Sequence, residues 1–186
     1  MTSPKAKRPP APSPAPIWGV GLILLILGLD QISKYWVLNH LDLLILGHIE
    51  ISPIFDLTMV WNYGVSFGAL KAHADWQRWA LVALSAGIAS IFAIWLFKAQ
   101  RRQTFLALSL VIGGAIGNMI DRVRFGAVAD FLNFSGLYFP WVFNVADAAI
   151  TVGAILLALD MLMNPDDPPQ SKQDSPSDKS SETSAA

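Results

Sequence analysis

The chain contains no cysteine. Disulfides, thiolate metal ligands and a cysteine nucleophile are therefore excluded by arithmetic, and the redox state of the compartment leaves no mark on the sequence. Histidine is nearly as sparse: His40, His48 and His73 are scattered without H-E-x-x-H spacing, so no metal centre and no cofactor is expected. Charge is scarce too. Only 15% of the 186 residues are Asp, Glu, Lys or Arg, against 53% hydrophobic, and a net charge of −1 offers no basic surface for nucleic acid. This balance argues against a soluble globular domain and for a small membrane protein.

What is present is apolar sequence in long runs. Four of them, 17–38, 79–97, 104–120 and 141–163, come close to the ~20 residues that a bilayer core requires. Residues 1–16, rich in Pro, Ala and Lys, and residues 164–186, polar and broken by Pro, read as disordered tails. Lys5, Lys7 and Arg8 ahead of the apolar stretch 17–29 imitate a secretory signal peptide, but no small-x-small cleavage site follows, so the segment reads as a retained helix. The sequence thus predicts an all-α membrane domain over 17–163, with four transmembrane helices and a long loop, 39–78, between the first two. Lys and Arg concentrate in the N-terminal tail and at Lys98, Arg101 and Arg102, which places both termini in the cytoplasm and the long loop outside. In that loop Phe55, Leu57, Met59 and Trp61 alternate with Asp56, Thr58, Val60 and Asn62. The period of two predicts a small extracytoplasmic β-strand element between the first and second helices, ending on Asn62 and the turn residue Gly64. The four runs show no internal repeat, which weakens a transporter reading.

An ionisable group inside a span costs ~2.5–3.5 kcal/mol and marks either function or a buried partner. Asp30 and Lys34 stand one helical turn apart and neutralise each other, a structural pair. Asp160, near the inner end of the fourth run, reads as interfacial. Asp147 lies about six residues into the same run, roughly 9 Å from its outer end, with only Ala146, Ala148 and Ala149 around it. Asp121 has Arg122 and Arg124 as neighbours, whereas Asp130 is flanked by Val128, Ala129 and Phe131, with no cation nearer in sequence than Arg124. Two carboxyls in apolar, cation-poor settings, once brought together, cannot both ionise and share one proton. Such a dyad activates a water with one member and donates a proton from the other, the chemistry of an aspartic protease. Asn144 precedes Asp147 by three positions and Asn118 precedes Arg122 by four, so each pair shares a helix face. These amides and the guanidinium would hold a peptide backbone or a developing oxyanion, unless the asparagines only join helices. Gly113 and Gly117 form a GxxxG packing face. The letters GVSFG at 64–68 match a nucleophile elbow, but that motif requires a large α/β sheet which this chain cannot build, so Ser66 is set aside.

Taken in order, DQISK (30–34), NYGVSFG (62–68), GGAIGNMIDR (113–122), VADF (128–131) and FNVAD (143–147) resemble the motif set of bacterial lipoprotein signal peptidases, also called signal peptidase II. The resemblance runs from the first span to the fourth and omits both tails. It implies a four-helix aspartic endopeptidase of the inner membrane that removes the signal peptide from a diacylated prolipoprotein, cleaving before the diacylglyceryl-modified cysteine, with its site near the outer leaflet. It implies Asp130 and Asp147 as the catalytic pair, and Asn62, Gly64, Asn118, Arg122 and Asn144 as substrate-binding or supporting residues. Asp30, Lys34 and Asp121 become structural polar groups, Asp121 orienting Arg122 and its helix end. Val65 and Ser66 depart from the small residues common in the family. The expected partners are the prolipoprotein and membrane lipid, with the enzyme a monomer. The rival reading is a small proton-coupled transporter with Asp147 and Arg122 as its relay, although a relay needs ionisable groups through the membrane depth and the second run has none.

Overall fold

The computed structural model describes residues 16–64 and 75–164. Residues 1–15 and 165–186, with Val65, Ser66 and His73, lie outside the described residues. Four long helices dominate: α1 (Pro16–Asn39), α3 (Asp75–Lys98), α4 (Arg102–Phe125) and α5 (Val145–Met163), with a one-turn helix α2 (Leu43–Leu46) after the first. All four long helices have the length and apolarity to cross a membrane. They are not equivalent. In the apolar window of α4, 67% of residues are buried, against 11–22% in the other three, because α4 is the hub on which α1, α3 and α5 all pack.

The reason is its small residues. Lipid tails solvate Leu as well as another helix does, so helices associate in a bilayer where backbones approach closely. Gly113 packs on Ile23 and Ile26 of α1, Gly114 stands against the carbonyl of Ala146 in α5, and a Cβ on Gly117 would come 2.6 Å from Asp30 Oδ2. The Gly114 contact is with backbone, which cannot swing aside. Gly114→Ala is therefore expected to push α5 off α4 and to lower stability by about 1–3 kcal/mol, whereas Gly21→Ala, whose Cβ meets nothing within 4 Å, leaves the thermal midpoint in detergent unchanged.

The β element is larger than the alternation predicts. It is a four-stranded antiparallel sheet in the order β1-β2-β3-β4: β1 (His48–Ser52) and β2 (Phe55–Asn62) lie between α1 and α3, but β3 (Val128–Asn133) and β4 (Val142–Phe143) lie between α4 and α5. The sheet therefore does not sit between the first two membrane helices alone; it ties that loop to the one before α5. Pairing of Val60 with Asp130 and Asn62 with Val128, beyond an irregularity after Leu57, sets the polar end of β2 beside Asp130. Val37, Leu43, Leu57 and Phe131 form the apolar cluster that seats the sheet on the end of α1.

Two positions differ from expectation. The chain at 141–143 is not helix; Asn144 caps α5, which starts at Val145, so Asp147 lies in its first turn rather than six residues along. Asp160, expected to reach water, is instead covered by protein and 5% exposed. It accepts from the Thr104 hydroxyl and from Asn164 Nδ2 at 3.1 Å, with Arg101 Nη1 at 3.7 Å, and so joins the end of α5 to the start of α4.

Candidate active site

The first turn of α5 builds one half of the site. Asn144 is the N-cap: its Oδ1 accepts the Asp147 N–H at 2.9 Å, while Asp147 Oδ2 accepts the Asn144 N–H at 3.3 Å, a reciprocal capping box. The box holds the Asp147 carboxyl at the helix N-terminus, where the backbone dipole favours negative charge. Its other oxygen, Oδ1, accepts from Asn118 Nδ2 of α4 at 2.7 Å.

Strand β3 supplies the other half. Asp130 is 2% exposed, and both its oxygens accept from amides: Oδ1 from Asn144 Nδ2 at 2.6 Å and Oδ2 from Asn62 Nδ2 at 3.0 Å. Asn144 thus touches both carboxyls. Burial first, and the negative charge of Asp147 second, push the Asp130 carboxyl up to about 6. Asn62 is held in turn by the Gly64 N–H, which donates to its Oδ1 at 2.9 Å. Gly64 has φ +97°, and a Cβ there would run into the side chain of Leu81 in α3, so only glycine fits the turn.

Arg122 lies one helical turn beyond Asn118 and feels the charges of Asp147, then Asp130, then Asp121. Its Nη1 is 3.5 Å from the Asn118 carbonyl, too long for much of a bond, and its Nε is buried without a partner. The guanidinium therefore retains donor capacity beside the carboxyls.

Beneath the site lies a buried charge cluster. Lys34 Nζ is 2.8 Å from Asp30 Oδ2 and 2.8 Å from Asp121 Oδ2, and donates to Asn118 Oδ1 at 3.2 Å. Asp30 Oδ1 accepts the Ala146 N–H at 2.9 Å, tying α1 to the first turn of α5. Asp121, expected to orient Arg122 and its helix end, acts on Arg122 through its charge, and beyond Lys34 its oxygens accept from Ala129 N of β3 at 3.2 Å and from Gln31 Nε2 at 3.1 Å. Gln31, given no role by the sequence beyond its place in DQISK, also donates to Asp30 Oδ2 at 3.1 Å and to the Gly117 carbonyl at 3.3 Å. Its only signal was an uncharged amide next to Asp30 in an apolar helix.

Asp30, Lys34, Asn62, Gly64, Asn118, Asp121, Arg122, Asp130, Asn144 and Asp147 thus come from α1, β2 with its following turn, α4, β3 and the start of α5 and converge on one end of the bundle. Two carboxyls joined through Asn144, by its side-chain amide to Asp130 and its backbone N–H to Asp147, at one end of a four-helix membrane domain define a polytopic membrane protein with a paired-acid site. Residues 22–163 match the family described as Signal peptidase (SPase) II. The lipoprotein signal peptidase of Caulobacter vibrioides is 47% identical over 137 residues, covering 73% of this chain and 81% of that protein, and that of Rhizorhabdus wittichii is 48% identical over 147 residues, covering 78% and 86%. A solved bacterial membrane enzyme, determined by the in meso method at 1.9 Å resolution, superimposes with a TM-score of 0.68 at 26% identity, covering 83% of this chain and 98% of that one. The chain belongs to the signal peptidase II family and is a multi-pass membrane peptidase.

Proposed function

We propose that the chain is an intramembrane aspartyl endopeptidase that removes signal peptides from prolipoproteins, cutting before the diacylglyceryl-modified cysteine. The reading rests on one observation above all: Asn144 joins two carboxyls in unlike surroundings, its side-chain amide on buried Asp130 and its backbone N–H on Asp147, half-buried on a helix N-terminus. A water between them loses a proton to Asp147 as it attacks the scissile carbonyl, while Asp130 gives its proton to the carbonyl oxygen. The proton now on Asp147 passes to the departing amine of the cysteine, and one hydroxyl of the diol returns a proton to Asp130. No covalent intermediate forms. The free donor capacity of Arg122 suits the carbonyl or the peptide backbone beside it.

The site lies at the end of α4 and α5 opposite Lys98, Arg101 and Arg102. By the positive-inside rule that end faces outward, with both termini cytoplasmic and the enzyme acting as a monomer. A lipidated cysteine near the outer leaflet then reaches the dyad without its acyl chains leaving the bilayer. The charged network gathers at one end of the bundle rather than spreading through its depth, which supports a peptidase over a proton relay.

The test is incubation of the purified protein with a synthetic diacylated precursor peptide. One product is expected, ending at the residue before the lipidated cysteine. Because kcat/KM reports the free enzyme, it should fall as pH rises through about 6, where Asp130 gives up the proton it must donate. Absence of product, or a flat profile across that window, sinks the reading.

A further inference from the structure

An asparagine can donate to a carboxylate only if its amide is turned the right way, and three asparagines serve this dyad. Two are fixed by backbone. The Gly64 N–H fills Asn62 Oδ1 and the Asp147 N–H fills Asn144 Oδ1, each at 2.9 Å. A backbone N–H can only donate, so both NH₂ groups must face outward to their acceptors. Asn118 has no such backbone anchor. Its Oδ1 receives Lys34 Nζ at 3.2 Å and Asn144 Nδ2 at 3.2 Å, but that Asn144 nitrogen lies closer to Asp130 Oδ1, at 2.6 Å. Lys34 is the donor that cannot reverse: an ammonium has three protons and no acceptor, and its three partners are Asp30, Asp121 and Asn118.

We propose that Lys34 is a positioning residue for the reaction: its ammonium pins the oxygen of Asn118 and keeps that amide's N–H turned toward Asp147. The proposal rests on the dyad reading above. With Lys34 absent, Asn118 is free to rotate and set its oxygen against Asp147 Oδ1, in the place from which its Nδ2 now donates at 2.7 Å. Two facing oxygens are tolerable only when one carries a proton. The dyad would then need a higher pH to lose its first proton, and the acid limb of the pH–rate profile would move upward.

The charged groups facing this point are Asp30 and Lys34 from α1, Asp121 and Arg122 from α4, Asp130 from β3 and Asp147 itself from α5. From α3 the nearby cation is Arg78, which donates to the Val123 carbonyl at the end of α4. Deleting Lys34 alone would shift the limb through lost charge as well, and would strand two buried carboxylates. The informative variant is Asp30→Asn/Lys34→Met, which removes one charge of each sign while leaving an oxygen at position 30 for the Ala146 N–H.

Measured with the diacylated peptide, its acid limb is expected about one pH unit above that of the parent enzyme, from which it differs by no net charge, with about a tenfold loss of kcat/KM below the limb. Lys34→Arg, which retains charge and donors, should leave the limb in place. A merely structural role would lower the plateau without moving the limb, and a limb coincident with that of the parent enzyme overturns the proposal while the dyad stands. Turnover by Asp147→Asn would instead bring down the dyad reading, and this proposal with it.

Discussion

Asparagine at position 130 or position 147 is expected to reduce cleavage of a lipidated precursor by roughly a thousandfold or more, within the range that a positioned acid or base contributes. Neither change should unfold the chain. At position 147 an asparagine keeps an oxygen for Asn118 Nδ2 and gives up only the 3.3 Å bond from the Asn144 N–H. At position 130 it must turn its NH₂ against either Asn62 or Asn144, a loss of about one hydrogen bond, on the order of 1 kcal/mol, partly offset because a buried charge disappears with it. The two acids work on one water, so the double variant should be no slower than either single one, as holds for residues that act as a unit. Time courses with the diacylated peptide, alongside circular dichroism of the detergent-solubilised variants, separate lost chemistry from lost fold. Turnover retained in both single variants refutes the assignment.

How much of this site the sequence carries depends on how local each cause is. Asp30 and Lys34 are one turn apart on one helix, and their 2.8 Å contact follows from helical geometry alone. The isolation of Asp130 and Asp147 from cations holds only among sequence neighbours, because the fold brings Arg122 within reach of both charges and Lys34 within reach of Asp130. The partner of Lys34 on another helix, Asp121, depends on how α1 packs on α4, and the adjacent Arg122 and Arg124 masked it. Strand β3 was hidden for a related reason: Val128, Ala129, Asp130 and Phe131 are all at most 3% exposed, so the strand is buried on both faces and shows no alternation. Strand β2, half covered, did alternate. The start of α5 was misplaced because apolar Trp141, Val142 and Phe143 run on into the helix without a break in hydropathy. Only the capping chemistry of Asn144 marks the boundary, and a cap is recognised by its geometry rather than by its polarity.

Lys34→Met should be the most destabilising single change in the described part of the protein. Lys34 is 2% exposed, and Asp30 and Asp121 are both fully buried, so the triad carries two negative charges and one positive, away from water. Removing the cation leaves both carboxylates without their closest counter-charge. Breaking even one buried pair from one side costs about 3–5 kcal/mol, comparable with the whole stability of many small domains. The damage would also spread: Asp30 holds the first turn of α5 through the Ala146 N–H, and Asp121 holds β3 through the Ala129 N–H, so both elements that carry the dyad lose their seat. The expected result is little folded protein after extraction and a thermal midpoint far below that of the parent. Adding Asp30→Asn to the same chain restores the balance at one remaining carboxylate, which still accepts from Gln31 and Ala129. The double variant should therefore be more stable than Lys34→Met alone, an inversion of the usual rule that a second core substitution adds to the harm of the first. If the double variant is instead the weaker of the two, the cluster holds the bundle by shape and hydrogen bonding rather than by charge.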